Sequence, residues 1–197
     1  MSGANPSDKS NGYDDLAEVY IQIRNTRIGL STVLEWSQSL VPGSSILELG
    51  CGNGVISQVL VDAGFTLYGV DASPKMIRAF RERLPTVPAE CAAVEDSTLF
   101  DRTFDGVVEW GLMFLLPVDT QKLVITKVAK ALKPGGQFLF TSPRDAISWK
   151  DAMTGRESRS LGTEACREFL EAQSLPLSED RSDEGDNHYY IASKNRF

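Results

Sequence analysis

Glu48-Leu49-Gly50-Cys51-Gly52-Asn53-Gly54 is a tight glycine loop that follows a short apolar run. Loops of this kind let backbone approach a ligand closely, and they also serve as plain turns. The glycines fall one residue short of the Gly-x-Gly-x-x-Gly dinucleotide spacing. Val55-Ile56 stands where a phosphate-binding loop carries Lys-Ser/Thr, so that ligand mode is excluded. Asp71 follows at roughly the 20-residue interval at which an acid takes ribose hydroxyls; the plainer reading is a charge at a helix N-terminus. Glu95-Asp96 and Glu109 each follow a further apolar stretch. A lip made of Glu48, Asp71, Glu95, Asp96 and Glu109 repels a pyrophosphate and suits a cation.

The elements that must position these residues alternate. Helices are expected over residues 13–20 and 28–40, the second closed by Pro42-Gly43. Strands are expected at 45–49, 66–70, 90–94, 104–108 and 137–141, with helices at 55–63, 74–84, 119–132 and 163–173. Ser73-Pro74 reads as an N-cap with proline at the first helical position. Residues 175–183 and 188–193 read as a terminal pair of strands. Alternation at this spacing argues for right-handed crossovers and a doubly wound, Rossmann-like α/β sheet with helices on both faces. Ligands then sit beyond the carboxyl ends of the strands, where strand order reverses. Residues 143–161 form an irregular polar insert at that rim, read as a substrate lid, and residues 1–12 a flexible tail ahead of one domain, 13–197.

Composition narrows the partners. The 197 residues are 42% hydrophobic and 24% charged, ordinary for one globular domain. The net charge of −7 and the lack of a basic stripe argue against nucleic acid and for a small-molecule substrate. No apolar run approaches the ~20 residues of a membrane span, and the polar N-terminus does not read as a signal peptide. Cys51, Cys91 and Cys166 have neither metal-ligand nor disulfide spacing, which points to a reducing, cytoplasmic setting.

Four segments in order resemble the motifs of class I S-adenosylmethionine-dependent methyltransferases: "ILELGCGNG", "LYGVDASPKMI", "FDGVVEWG" and "LKPGGQFLFTSP". The resemblance runs from about residue 13 to 193. It implies a seven-stranded, mostly parallel sheet with an antiparallel last strand, and S-adenosyl-L-methionine as cofactor with S-adenosyl-L-homocysteine as product. By the same resemblance, Gly50, Cys51 and Gly52 present backbone to the methionine part, near Glu48. Asp71 accepts the ribose hydroxyls, Ala72 and Met76 flank the adenine, and Glu95 or Asp96 reads its amino group. Glu109, Trp110 and Gly111 line the reactive end. "YDDLAEVY" resembles a capping helix, from which Tyr20 closes over the cofactor and Arg24 pairs with its carboxylate; otherwise Tyr20 is a half-buried core tyrosine. No Asn/Asp-Pro-Pro-Tyr or Pro-Cys follows the fourth strand, and Ser142-Pro143-Arg144 after the fifth offers no acid, so no metal is expected.

Methyl transfer from a sulfonium is an in-line displacement, so the protein chiefly aligns the nucleophile; a base is needed only for a protonated acceptor. His188, the single histidine, begins the last strand at the active rim and is a candidate base or substrate contact. Glu109 is the rival base, or an acid balancing the sulfonium. Arg144 could bind an anionic group of the substrate, or be a solvated loop charge. Trp110, Met113, Phe114 and Trp149 could wall the acceptor pocket, although Phe114 reads equally as core. The rival functions are a cofactor-binding protein that transfers no methyl, whether cyclase-like or a binding module, and a nicotinamide oxidoreductase.

Overall fold

Strands that are apolar on both faces must be covered on both faces, and interleaved helices do so. The computed structural model describes residues 8–23 and 28–196. Among them, β1 (Ser45–Leu49), β2 (Thr66–Asp71), β3 (Ala89–Cys91), β4 (Phe104–Glu109), β5 (Leu132–Thr141), β8 (Leu177–Ser182) and β9 (His188–Ser193) form one sheet, ordered β3-β2-β1-β4-β5-β9-β8. β1 to β5 pair in parallel, and β9 runs antiparallel to both β5 and β8. This is the expected mostly parallel sheet with an antiparallel last strand. Strand order reverses at β1, which sits between β2 and β4, so the crevice for a ligand opens beyond its carboxyl end.

The helices are α1 (Ala17–Ile23), α2 (Leu30–Ser37), α3 (Val55–Asp62), α4 (Pro74–Arg83), α5 (Val118–Ala131) and α6 (Thr163–Ala172). The period-2 alternation of strands sorts side chains into two cores. Phe138, Phe140, Tyr190 and Ala192 join Val124 and Val128 of α5 and Leu170 of α6. Leu139, Tyr189 and Ile191 join Val33 and Trp36 of α2 and Ile56 and Leu60 of α3. Phe138, Phe140 and Tyr190 stack at 4.7 and 5.0 Å between ring centroids. Full burial of each such side chain contributes about 1.5–3 kcal/mol. Gly106 lets α2 press onto β4: a Cβ there would lie 2.8 Å from Leu40 Cδ1 and 3.0 Å from Trp36 Cη2.

Several elements differ from expectation. Residues 9–16 run as successive turns, and the helix begins only at Ala17. Asp8 accepts hydrogen bonds from Ser10 N, Ser10 Oγ and Gly12 N, and Asn11 (φ 55°) and Gly12 (φ 89°) turn left-handed, which no α-helix tolerates. Residues 8–12, expected to be a flexible tail, are thus a folded turn; residues 1–7 lie outside the described residues. β3 stops at Cys91 because Ala93 O accepts from Asp96 N and Ser97 N and curls the chain. The insert 143–161 contains an antiparallel hairpin of β6 (Ser148–Lys150) and β7 (Glu157–Arg159), with Trp149 opposite Ser158.

Candidate functional site

A cleft partly open to solvent lies beyond the carboxyl ends of β1, β2, β3 and β4. β1 delivers Gly50 and Gly52; β2 delivers Val70, Asp71 and Ala72, with Met76 of α4 behind them. The chain after β3 contributes Ala92 to Glu95, and the chain after β4 contributes Trp110 to Leu112, with Leu115 and Leu116. Lys9, Ser10, Asn11, Tyr13 and Tyr20 of the N-terminal segment supply the remaining wall.

Asp71 ties the first two strands' loops together. Its Oδ2 accepts from Gly52 N at 2.9 Å and its Oδ1 from Ser73 N at 2.8 Å. Burial pushes its carboxyl above the ordinary range, and the two N–H donors offset only part of that. Gly52 can aim its N–H this way because it sits at φ 52°, and Gly54 starts α3 at φ 80°, with Phe80 Cδ2 2.9 Å from where a Cβ would stand. The Ser73 hydroxyl accepts from Met76 N at 3.1 Å, the expected N-cap, and donates to Asp14 Oδ1 at 2.6 Å.

The N-terminal segment is fastened on both sides of the cleft. On the β2–β3 side, Asp14 holds Ser73 and Lys75 N, and Lys9 Nζ lies 2.8 Å from Glu95 Oε1. On the insert side, Asp8 Oδ2 lies 2.8 Å from Arg156 Nη2, and the Tyr13 hydroxyl donates to Asp151 at 3.2 Å. Burial raises the Asp8 carboxyl, but the hydrogen bonds from Ser10 and Gly12 and the Arg156 charge outweigh it and leave it below the usual range. Tyr13 and Tyr20 meet edge to face at 5.4 Å.

Glu109 lies under the cleft, not in its wall. It is 0% exposed. Its Oε1 accepts from Leu112 N and Met113 N, and its Oε2 from Thr141 N at 3.0 Å. Burial raises its carboxyl to about 7 against these three donors. This placement does not match a base or counter-charge facing the reacting atoms; the carboxyl instead holds the chain after β4 against the end of β5. Gly111 N donates to Thr141 Oγ1 at 2.8 Å and reinforces the same seam.

His188 also stands apart from the lining. Its ring packs edge-on against Tyr190, with Nδ1 3.3 Å from Ser182 Oγ and Nε2 3.6 Å from Asp180 Oδ1. Burial and the Arg144 charge lower its pKa, and Asp180 opposes them. Arg144, outside the cleft lining, pairs with Asp180 at 2.8 Å. Trp149 packs on Phe114 at 5.5 Å between centroids, joining the hairpin to the chain after β4, while Met113 is buried in the core.

Of the residues named from the sequence, the cleft therefore brings together Tyr20, Gly50, Gly52, Asp71, Ala72, Met76, Glu95, Trp110 and Gly111. Glu48, Cys51, Asp96, Glu109, Met113, Phe114, Arg144, Trp149 and His188 are not in its lining. Arg24 lies outside the described residues. Glu48 is 3% exposed and accepts from Ser57 Oγ at 2.5 Å, on the α3 side of β1. Cys51 is buried, and desolvation, then Asp71 and Glu48, push its thiol well above the ordinary range, so it packs rather than attacks. Sequence reasoning missed Lys9, Ser10, Asn11 and the Asp14 clamp. The only signal was the spacing of Asp8, Ser10 and Gly12, a side-chain-capped turn. Among the described residues no cluster of His, Cys, Asp and Glu could hold a metal, and no helix is long and apolar enough to cross a membrane.

Comparison with known proteins agrees with this architecture. Residues 46–136 match the family model of a methyltransferase domain. A ubiquinone biosynthesis O-methyltransferase of Idiomarina loihiensis is 34% identical over 115 residues, 54% of this chain and 46% of that protein. A cypemycin N-terminal methyltransferase of a Streptomyces species is 35% identical over 156 residues, 76% of this chain and 62% of that protein. The chain thus spans 46% and 62% of the length of these two relatives. Among solved structures, the CcbJ methyltransferase of Streptomyces caelestis superposes with a TM-score of 0.75 at 18% identity, over 95% of this chain and 99% of that one. The 1,6-didemethyltoxoflavin-N1-methyltransferase of Burkholderia thailandensis, solved with 1,6-didemethyltoxoflavin and S-adenosylhomocysteine, gives 0.73 at 16% identity, over 99% and 93%. The matching segment is thus similar to a methyltransferase domain, and the fold is that of S-adenosylmethionine-dependent methyltransferases of known structure.

Proposed function

We propose that the chain transfers a methyl group from S-adenosylmethionine to a small-molecule acceptor by in-line displacement. The observation that carries this reading is the charge and character of the cleft. Among its described lining residues Lys9 is the one cation, and it is paired with Glu95. Among the described lining residues a pyrophosphate would find no unpaired positive group, whereas the aromatic side chains of Trp110, Tyr13 and Tyr20 suit a sulfonium. Asp71 at the end of β2 suits two vicinal hydroxyls, and Gly50 and Gly52 leave backbone free to approach the amino-acid end. Ala72 and Met76 offer apolar contact to the adenine, with Glu95 at its amino edge.

The bound cofactor supplies an already activated methyl group. The chain's own residues then hold the two reactants in line and exclude water, which can lower the barrier by up to ~7–11 kcal/mol. We assign this work to alignment within the wall formed by Tyr13, Tyr20, Trp110 and Gly111, and none of it to Glu109 or His188. The hairpin of residues 143–161, fastened to the N-terminal segment, closes the acceptor side. His188, packed on Tyr190 and beside Ser182 and Asp180, supports β8 and β9.

The test is S-adenosylhomocysteine release when the purified chain is given S-adenosylmethionine and a panel of phenolic, amine and carboxylate small molecules. Release that depends on one acceptor class, with the methyl recovered on it, is the expected result. Turnover of S-adenosylmethionine with no methylated product would favour the non-methylating alternative.

A further inference from the structure

Asn11 lies in a stretch whose sequence gave no hint of a site. It lines the cleft between Ser10 and Tyr13, and its backbone is left-handed at φ 55°. Its amide nitrogen is buried and has no hydrogen-bond partner among the described residues. A buried donor left unpaired costs free energy, so such a group in a cleft wall is suited to a ligand that supplies the acceptor. The backbone around it is fixed. Asp8 takes three hydrogen bonds from Ser10 and Gly12, and Arg156 holds Asp8 in turn. The strained conformation is thus imposed by its neighbours, as is common where a side chain must face a bound molecule.

Asp8 and Tyr13 tie this turn to the insert; the other two anchors flanking Asn11 point to the part of the ligand it meets. Two residues earlier, Lys9 is fastened to Glu95, in the chain after β3. Three residues later, Asp14 is fastened to Ser73, next to Asp71 and Ala72 after β2. Both attachments are on the β2–β3 side of the cleft, the side of the ribose and the adenine in the cofactor reading above, on which this inference rests. We infer that Asn11 is a further cofactor-binding residue, its side-chain amide donating to an acceptor atom on the adenosine half of the cofactor. The N-terminal turn then serves as part of the binding site, and cofactor binding and closure over the insert share the one segment.

Two variants separate the side chain from the backbone. Asn11→Gly removes the amide and suits the left-handed conformation. Asn11→Asp keeps size and that tolerance, and replaces the donor by an acceptor. Calorimetric titration is carried out with S-adenosylhomocysteine and with 5′-methylthioadenosine, which lacks the amino-acid end; thermal unfolding of the unliganded proteins is followed in parallel. Asn11→Gly is expected to bind both ligands about 3- to 10-fold more weakly, and Asn11→Asp at least as weakly, with unliganded melting temperatures unchanged. Wild-type affinity in both variants would overturn the inference. So would a loss seen with S-adenosylhomocysteine but not with 5′-methylthioadenosine, which would move the contact to the amino-acid end. If the wild-type chain binds neither ligand, the cofactor reading itself fails, a result distinct from both.

Discussion

Asp71→Asn is expected to weaken S-adenosylhomocysteine binding by about 30- to 1,000-fold. Two ribose hydroxyls would donate to this carboxylate, and a hydrogen bond to a charged group contributes about 1.5–3 kcal/mol. Asparagine keeps one oxygen for Gly52 N or Ser73 N, the two donors that hold the loop, so the fold should survive. Asp71→Ala would lose affinity too, but it would also strip both N–H groups of their acceptor, and the loss would mix binding with loop collapse. Calorimetric titration of the asparagine variant, beside its melting curve without ligand, keeps the two apart. Affinity within about threefold of wild type would reassign Asp71 to the loop alone.

Glu109→Ala is expected to be the most destabilising single change in the site region. It leaves Leu112 N, Met113 N and Thr141 N buried without an acceptor. One such orphan costs ~1–3 kcal/mol, so the total loss should exceed ~3 kcal/mol and be visible in denaturant titration. The same residue should make stability depend on pH. Its folded pKa, about 7, lies above the ordinary 4.5. Between these values the folded chain holds a proton that the unfolded chain has released, so folding is favoured at the acid end. That contribution is complete below pH 4.5 and fades as pH rises to about 7. From pH 5.5 to 8 the loss from this group alone is about 2 kcal/mol. His188, whose pKa is lowered, acts with the opposite sign at the acid end of that interval. The readout is therefore the difference between wild type and Glu109→Gln, which cannot ionise. The wild type should lose more stability than the variant on going from pH 5.5 to 8; parallel curves would remove Glu109 as the titrating group.

The fold was legible wherever a local signal and the tertiary demand coincided. β1 and α4 fell where Ser45–Leu49 and the Ser73-Pro74 cap put them, because an apolar run and a capped proline need no distant partner to be recognised. The hairpin β6–β7 was missed because Ser148–Lys150 and Glu157–Arg159 are polar and short, and their pairing depends on Trp149 finding Phe114. The helix expected from residue 13 begins only at Ala17, because residues 13–16 continue the turns, with Tyr13 N and Asp14 N both bonded back to Ser10.

The site divides the same way. Gly50, Gly52, Asp71 and Trp110 could be placed because strand ends fix their position to within a residue. Depth was the unreadable quantity. Glu109 ends β4 as expected, yet its side chain turns under the floor toward Thr141. His188 begins β9 at the predicted rim, but β5 and β9 lie beyond β4, and Arg144 and Asp180 cover it. No spacing rule distinguishes a residue at the rim from one in the wall.

The cleft's assignment is to a sulfonium nucleoside rather than a dinucleotide. Its most direct test is calorimetric titration of the wild-type chain with S-adenosylhomocysteine and, separately, with NAD. One saturable site for S-adenosylhomocysteine and no heat from NAD is the predicted result. Saturable NAD binding with none for S-adenosylhomocysteine would contradict it.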